Sequence, residues 1–146
     1  MADANGEART RAPLRKGLLT ANLDDLAAVR LIGARCGACG ETSLGAAEVC
    51  PNCGRQGVEI IPLGDQGVLW SFTVVRHRPP GDYRGPQPFA PFGLGLVELP
   101  EGVRVLSPIE GDAGGLAIGM PLRFRPYLRH DADADVVAFV FTPVEA

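Results

Sequence analysis

From Val68 onward the chain alternates between apolar and polar positions. In VLWSFTVVR, Val68, Trp70, Phe72 and Val74 fall on one face and Ser71 and Thr73 on the other, the pattern of a half-buried strand. The stretches GLGLVEL (93–99), GVRVLSPI (102–109), PLRFRPY (121–127) and DVVAFVF (135–141) read the same way and bring the count to five strands. PEG at 100–102 is a tight hairpin turn, and the glycine-rich GDAGGLAIGMP (111–121) is a longer connection. Five short strands at this spacing, with no repeat and no strand–helix–strand alternation, predict a small closed or partly open barrel over 63–146, five being the strand number of an OB-fold.

Upstream the period changes. Leu14, Leu18, Leu19, Leu23, Leu26 and Val29 recur at helical intervals, which predicts a helical arm over 13–31. Asn22 is placed to cap a turn beginning LDDLAAV, with Asp24 and Asp25 near its positive end. Residues 1–12 carry charge and small side chains with almost nothing to bury, and are expected to form a disordered tail.

Between arm and barrel, over 32–62, lie all four cysteines of the chain, as two C-x-x-C pairs with ten residues between them, CGACGETSLGAAEVCPNCG. A C-x-x-C turn lets two thiolates converge on one ion, and four of them fill the tetrahedral shell of zinc. Gly40 and Gly54 each follow a pair, where a positive φ lets backbone N–H groups turn toward the sulfurs. The two knuckles are near copies, and the spacing fits a rubredoxin-like zinc ribbon with Cys36, Cys39, Cys50 and Cys53 as ligands; iron takes the same donors. Four cysteines with no histidine nearby make a closed, structural site rather than a catalytic one with an open position.

Catalytic groups are scarce elsewhere. With the thiols committed to metal, no cysteine remains as a nucleophile, and the two histidines, His77 and His130, each sit beside arginine in polar surroundings. None of the nucleophile-elbow, phosphate-loop or zinc-protease motifs occurs. One connection stands out instead: HRPPGDYRGPQPFAPF (77–92), with five prolines and three aromatics. Loops this long without secondary structure of their own are functional or disordered, and the aromatics favour an ordered one. Arg76, Arg78, Tyr83, Arg84, Phe89 and Phe92 are its candidate ligand or partner residues, with Arg104 on a neighbouring strand. Arginine forks pair with phosphate or an acidic partner patch. A net charge of −3 argues against a surface built to track nucleic-acid backbone. The first residues resemble neither a signal peptide nor a membrane anchor. A cytoplasmic protein without membrane association is expected, and in that reducing compartment clustered cysteines point to metal rather than to disulfides.

The order of these features is specific. L-x-G-x-R-C-x-x-C-G, C-P-x-C-G, G-x-x-x-S-F-T-V-V, the proline- and aromatic-rich loop, V-E-L-x-E-G-x-R-V and I-G-M-P-L follow one another over residues 14–143. This succession resembles the zinc-ribbon plus OB-fold family of acyl-CoA-associated accessory proteins, long catalogued as a domain of unknown function. Within it, the loop and following hairpin look most like the small subunits of benzoylsuccinyl-CoA thiolases. The resemblance implies a non-catalytic subunit with structural Zn2+, paired with a thiolase-fold, hydratase or aldolase partner that supplies the catalytic residues. The barrel side would help shape the channel for a CoA thioester. Only the four cysteines carry over residue by residue; the six loop residues match in position. Where several relatives have a proline and an aromatic between the knuckles, this chain has SLGAAE. The reading from a different class is a nucleic-acid-binding ribbon and barrel, and a third is iron-based electron transfer.

Overall fold

The computed structural model describes residues 10–144. They divide into two compact units: the chain up to residue 64 together with 126–139, and 65–125 together with the chain from 140 onward. The expected tail falls mostly on residues 1–9, outside the described residues.

In the first unit, β1 (Arg11–Pro13) replaces the end of that tail and pairs in parallel with the start of β9 (Asp135–Pro143). The Leu14 N–H continues the ladder to the Val137 carbonyl at 2.9 Å. β2 (Ile32–Cys36) is the centre of a three-stranded antiparallel sheet between β3 (Thr42–Leu44) and β4 (Val58–Pro62). The arm expected over 13–31 is not helical: among the described residues there is no α-helix, and this segment holds only a single 3-10 turn at Leu26–Ala28. Its leucines satisfy a different geometry. Leu19 bridges Leu31, the Ile32 N–H donates to the Leu18 carbonyl at 2.9 Å, and Leu18, Leu19, Val29 and Leu31 are all buried. Burial of these leucines along an irregular run of turns, tied at Leu19 to Leu31, overrides a weak helical period. Asn22 does not cap with its side chain either; its Oδ1 accepts from the Thr20 hydroxyl at 2.6 Å.

The second unit holds β5 (Gln66–Val75), β6 (Phe92–Glu98), β7 (Arg104–Ile109) and the first half of β8 (Pro121–His130). Strand order β9-β7-β6-β5-β8, with β8 pairing back to β9, closes the five strands into a barrel. The hairpin turn at 100–102 forms as the alternation predicts, with the Leu99 and Val103 backbones joined at 2.9 Å. β7 alternates strictly, Val105, Ser107 and Ile109 buried and Arg104, Leu106 and Pro108 exposed.

β5 departs from its expected faces. Leu69 pairs with Val97, but the next pair is Ser71 with Leu96, so Trp70 is an extra residue in a β-bulge. Cross-strand partners share a face. Before the bulge Leu69 points inward and is fully buried, while Val68 and Trp70 are 41% and 45% exposed. After it, Phe72 and Val74 oppose Gly95 and Gly93, both buried, and point inward. The single apolar face read from alternation is therefore split, and Trp70 is not a core residue. Leu69→Ala is expected to cost about 2–5 kcal/mol in denaturant unfolding of the metal-loaded chain, as deletion from a packed core does, and Val68→Ala less than about 1 kcal/mol. The reverse order would restore the unbulged face.

Candidate functional site

β2 ends on Cys36 and delivers it into the first knuckle, while the second is held by the bridge between Val49 and Gln56. Each knuckle closes with a backbone bond onto its first cysteine: the Gly40 N–H to the Cys36 carbonyl at 3.0 Å, and the Gly54 N–H to the Cys50 carbonyl at 2.8 Å. Gly40 and Gly54 have φ of 80° and 79°, the left-handed conformation expected of them.

The four Sγ atoms lie within 4.8 Å of one another. Cys36 and Cys53 approach to 3.7 Å, as do Cys39 and Cys50. Thiolates about 2.3 Å from a tetrahedral zinc would be spaced by about 3.8 Å, so the cluster fits the ion. Cys36 and Cys50 are buried, and Cys39 and Cys53 lie on the solvent side. The N–H groups of Ala38 and Cys39 point at the Cys36 sulfur at 3.3 and 3.4 Å, and those of Asn52 and Cys53 at the Cys50 sulfur at 3.3 and 3.4 Å. The bonds from Cys39 and then Ala38 lower the Cys36 thiol to about 6. Cys39 is lowered by the Glu41 N–H first and the Asn52 amide second. Cys53 runs the other way: the Arg55 N–H favours its thiolate, but burial and the neighbouring sulfurs together push it up to about 11. Metal bound here would be held by protein on all four sides, which stabilises fold and offers no open position for chemistry.

The loop residues divide. Tyr83, Phe89 and Phe92 come together as a small aromatic cluster, with centroids 5.8, 6.0 and 6.3 Å apart, Tyr83 stacked on Phe92 and Phe89 edge-on to both. Such pairs contribute about 0.5–1.5 kcal/mol each beyond their buried area. Tyr83 folds over Gly85 so closely that a Cβ there would lie 1.9 Å from its hydroxyl. Arg84 is turned back onto Asp82 at 2.8 Å. Arg76 lines an open cleft of about 320 Å³ with Val74, Pro91 and the 111–114 turn. Arg78 is exposed, and neither Arg76 nor Arg78 carries an ion pair among the described residues. Arg104 lies elsewhere: its guanidinium sits 3.8 Å over the Trp70 ring and donates to Glu98 at 3.0 Å.

Two features escape the sequence reading. His130 pairs through Nδ1 with Asp135 at 2.8 Å, and Asp135 is buried. The Asn52 amide reaches the Cys39 sulfur at 3.6 Å. The first leaves no sequence signal, whereas the second does in retrospect, since Asn52 and Ala38 hold the same place in otherwise similar knuckles.

Fold and cluster together define a two-part protein, a rubredoxin-like zinc ribbon followed by an OB-fold. Residues 24–59 match the family described as ChsH2, rubredoxin-like zinc ribbon domain, and residues 61–125 that described as ChsH2, C-terminal OB-fold domain. A "DUF35 domain-containing scaffold protein" of Methanothermobacter thermautotrophicus is 30% identical over 115 residues, 76% of this chain and 83% of the relative. The "Benzoylsuccinyl-CoA thiolase subunit BbsA" of Thauera aromatica is 32% identical over 85 residues, 58% of this chain and 54% of that one. Among solved structures, "Ltp2-ChsH2(DUF35) aldolase" matches with a TM-score of 0.58 and 31% identity, over 78% of this chain and 84% of that one. The chain belongs to the DUF35 family. It spans about half the length of the benzoylsuccinyl-CoA thiolase subunits it matches. No helix among the described residues is long and apolar enough to cross a membrane.

Elemental analysis is expected to find one zinc per chain, and a coloured iron protein would contradict the assignment. Between the values of Cys36 and Cys53, about 6 and about 11, the metal-free cluster retains a proton that an incoming ion must displace. Zinc affinity should therefore climb with pH across that window and fall on acidification. Chelator competition at a series of pH values checks this, and a flat profile would count against it.

Proposed function

We propose that this chain is a non-catalytic subunit of an acyl-CoA enzyme complex, whose reacting groups reside in a thiolase-fold partner. The observation that carries the reading is the division within the chain: all four thiols converge on one closed metal cluster, while the aromatic loop at 77–92 is ordered by its own side chains. A loop prearranged in this way loses little entropy when it meets a partner. The names of relatives support the same division, a thiolase subunit in one case and a scaffold protein in another.

In this reading Zn2+ fixes the ribbon, and the loop contributes to partner contact and to the channel for a CoA thioester. Phe89 and Tyr83 are the apolar anchors. Arg76 and Arg78 are the cations available to an acidic partner patch or to the phosphates of CoA. The benzoylsuccinyl-CoA thiolase is the specific complex proposed, and the cytoplasm its compartment.

Co-expression with a thiolase-fold partner should give one complex, with thiolytic activity lost when either protein is omitted. Full activity of the partner alone would sink the proposal. Within the complex, Phe89→Ala is expected to weaken assembly by about tenfold or more, as loss of a central aromatic anchor does. Arg78→Ala should reduce turnover or affinity for the thioester. Wild-type behaviour of both variants would remove the loop from the mechanism.

The nucleic-acid reading gains one observation, the exposure of Trp70 and Leu106 on the outer face of the barrel. One face of the Trp70 ring is already covered by Arg104, which leaves less for a base to stack upon. Trp70 is the chain's one tryptophan, so its fluorescence reports directly. Salt-dependent quenching by single-stranded DNA or RNA at physiological ionic strength would favour that reading, and the accessory-subunit reading expects none.

A further inference from the structure

The knuckles CGACG and CPNCG present their backbones to the sulfurs in the same way. Cys36 and Cys50 each accept two backbone N–H groups, at matching distances of 3.3 and 3.4 Å. The symmetry ends at the side chains. From the second knuckle the Asn52 Nδ2 crosses to the Cys39 sulfur of the first, at 3.6 Å. The matching position of the first knuckle is Ala38, which has no donor to return.

We propose that Asn52 is a positioning residue for the metal, tying one knuckle to a ligand of the other and withdrawing electron density from the Cys39 thiolate. The orientation of its amide follows from the charge it faces, because an N–H is attracted to a thiolate and a carbonyl oxygen is repelled. Asn52 is exposed and its side chain makes no other hydrogen bond among the described residues, so packing does not explain its reach. Cys39 is also one of the two ligands on the solvent side. There a donor does two things: it holds the sulfur in place, and it neutralises part of the charge that would otherwise attract a competing proton or metal. Outer partners of this kind typically change metal affinity by about 10–100-fold when removed.

The test uses the full chain loaded with zinc or with Co2+, as wild type, Asn52→Ala and Asn52→Asp. Ala38 already occupies the equivalent place in the first knuckle, so alanine is compatible with the turn. Asn52→Ala should lower zinc affinity in chelator competition by about tenfold and move the sulfur-to-cobalt charge-transfer band to lower energy, since the sulfur electrons are then held less tightly. Asn52→Asp keeps the shape, loses the donor and adds a negative charge beside the thiolate; its affinity should fall further. Wild-type band and affinity in both variants would overturn the proposal. So would an affinity loss with the band unmoved, which would make Asn52 a part of the scaffold without influence on the sulfur.

Discussion

Four thiolates brought within 4.8 Å of one another repel unless a cation stands between them. That repulsion, reversed into attraction when a metal binds, is the constraint on which the first half of the molecule depends. The ribbon strands β2, β3 and β4 are five, three and five residues long, and β3 and β4 bury no residue fully. A segment of this size cannot stabilise itself by apolar burial alone. The backbone answers the same demand from outside: N–H groups from both knuckles converge on Cys36 and Cys50, and the left-handed Gly40 and Gly54 close each turn onto the carbonyl of its first cysteine. Binding free energy at such a site is folding free energy.

The barrel rests on a different principle, closure of the sheet over alternating side chains. Val97, Val105, Leu122, Phe124 and Phe141 are buried, and Phe124 meets Phe141 edge-on at 5.7 Å. Because closure leaves no room for a long excursion inside, the 77–92 connection between β5 and β6 stays outside and must organise itself. It does so with Tyr83, Phe89 and Phe92. The proposed function rests on a division of labour in which metal and barrel supply rigidity and the loop supplies a shaped surface. All four thiols belong to the metal cluster, so none is left over for covalent chemistry.

Much of this is legible in the amino-acid order, and the boundary of legibility has physical causes. C-x-x-C spacing with a glycine after each pair is a local requirement of metal geometry, so the ligand set and both positive φ angles can be read directly. Strand period and the hairpin at 100–102 are local as well. The bulge at Trp70 is not, because it is defined by two residues opposing one on β6, and nothing within VLWSFTVVR marks the slip. A helical spacing of leucines over 13–31 misleads for a related reason: Leu18 and Leu19 answer to β2, a partner further along the chain, rather than to one another. Among the candidate loop residues, the aromatics pointed to an ordered loop but not to their mutual packing; the turning of Arg84 onto Asp82, two residues away, is local, whereas that of Arg104 onto Trp70 and Glu98 depends on how the strands pair.

The central claim is that the ribbon is a rigid clamp and the 77–92 loop is the working surface. Hydrogen-exchange mass spectrometry of the zinc-loaded chain, free and in complex with a thiolase-fold partner, tests it most directly. The account predicts new protection across residues 76–92 on complex formation, with the knuckles at 36–40 and 50–54 equally protected in both states. Protection confined to the knuckles, with the loop exchanging as freely as in the isolated chain, would contradict it.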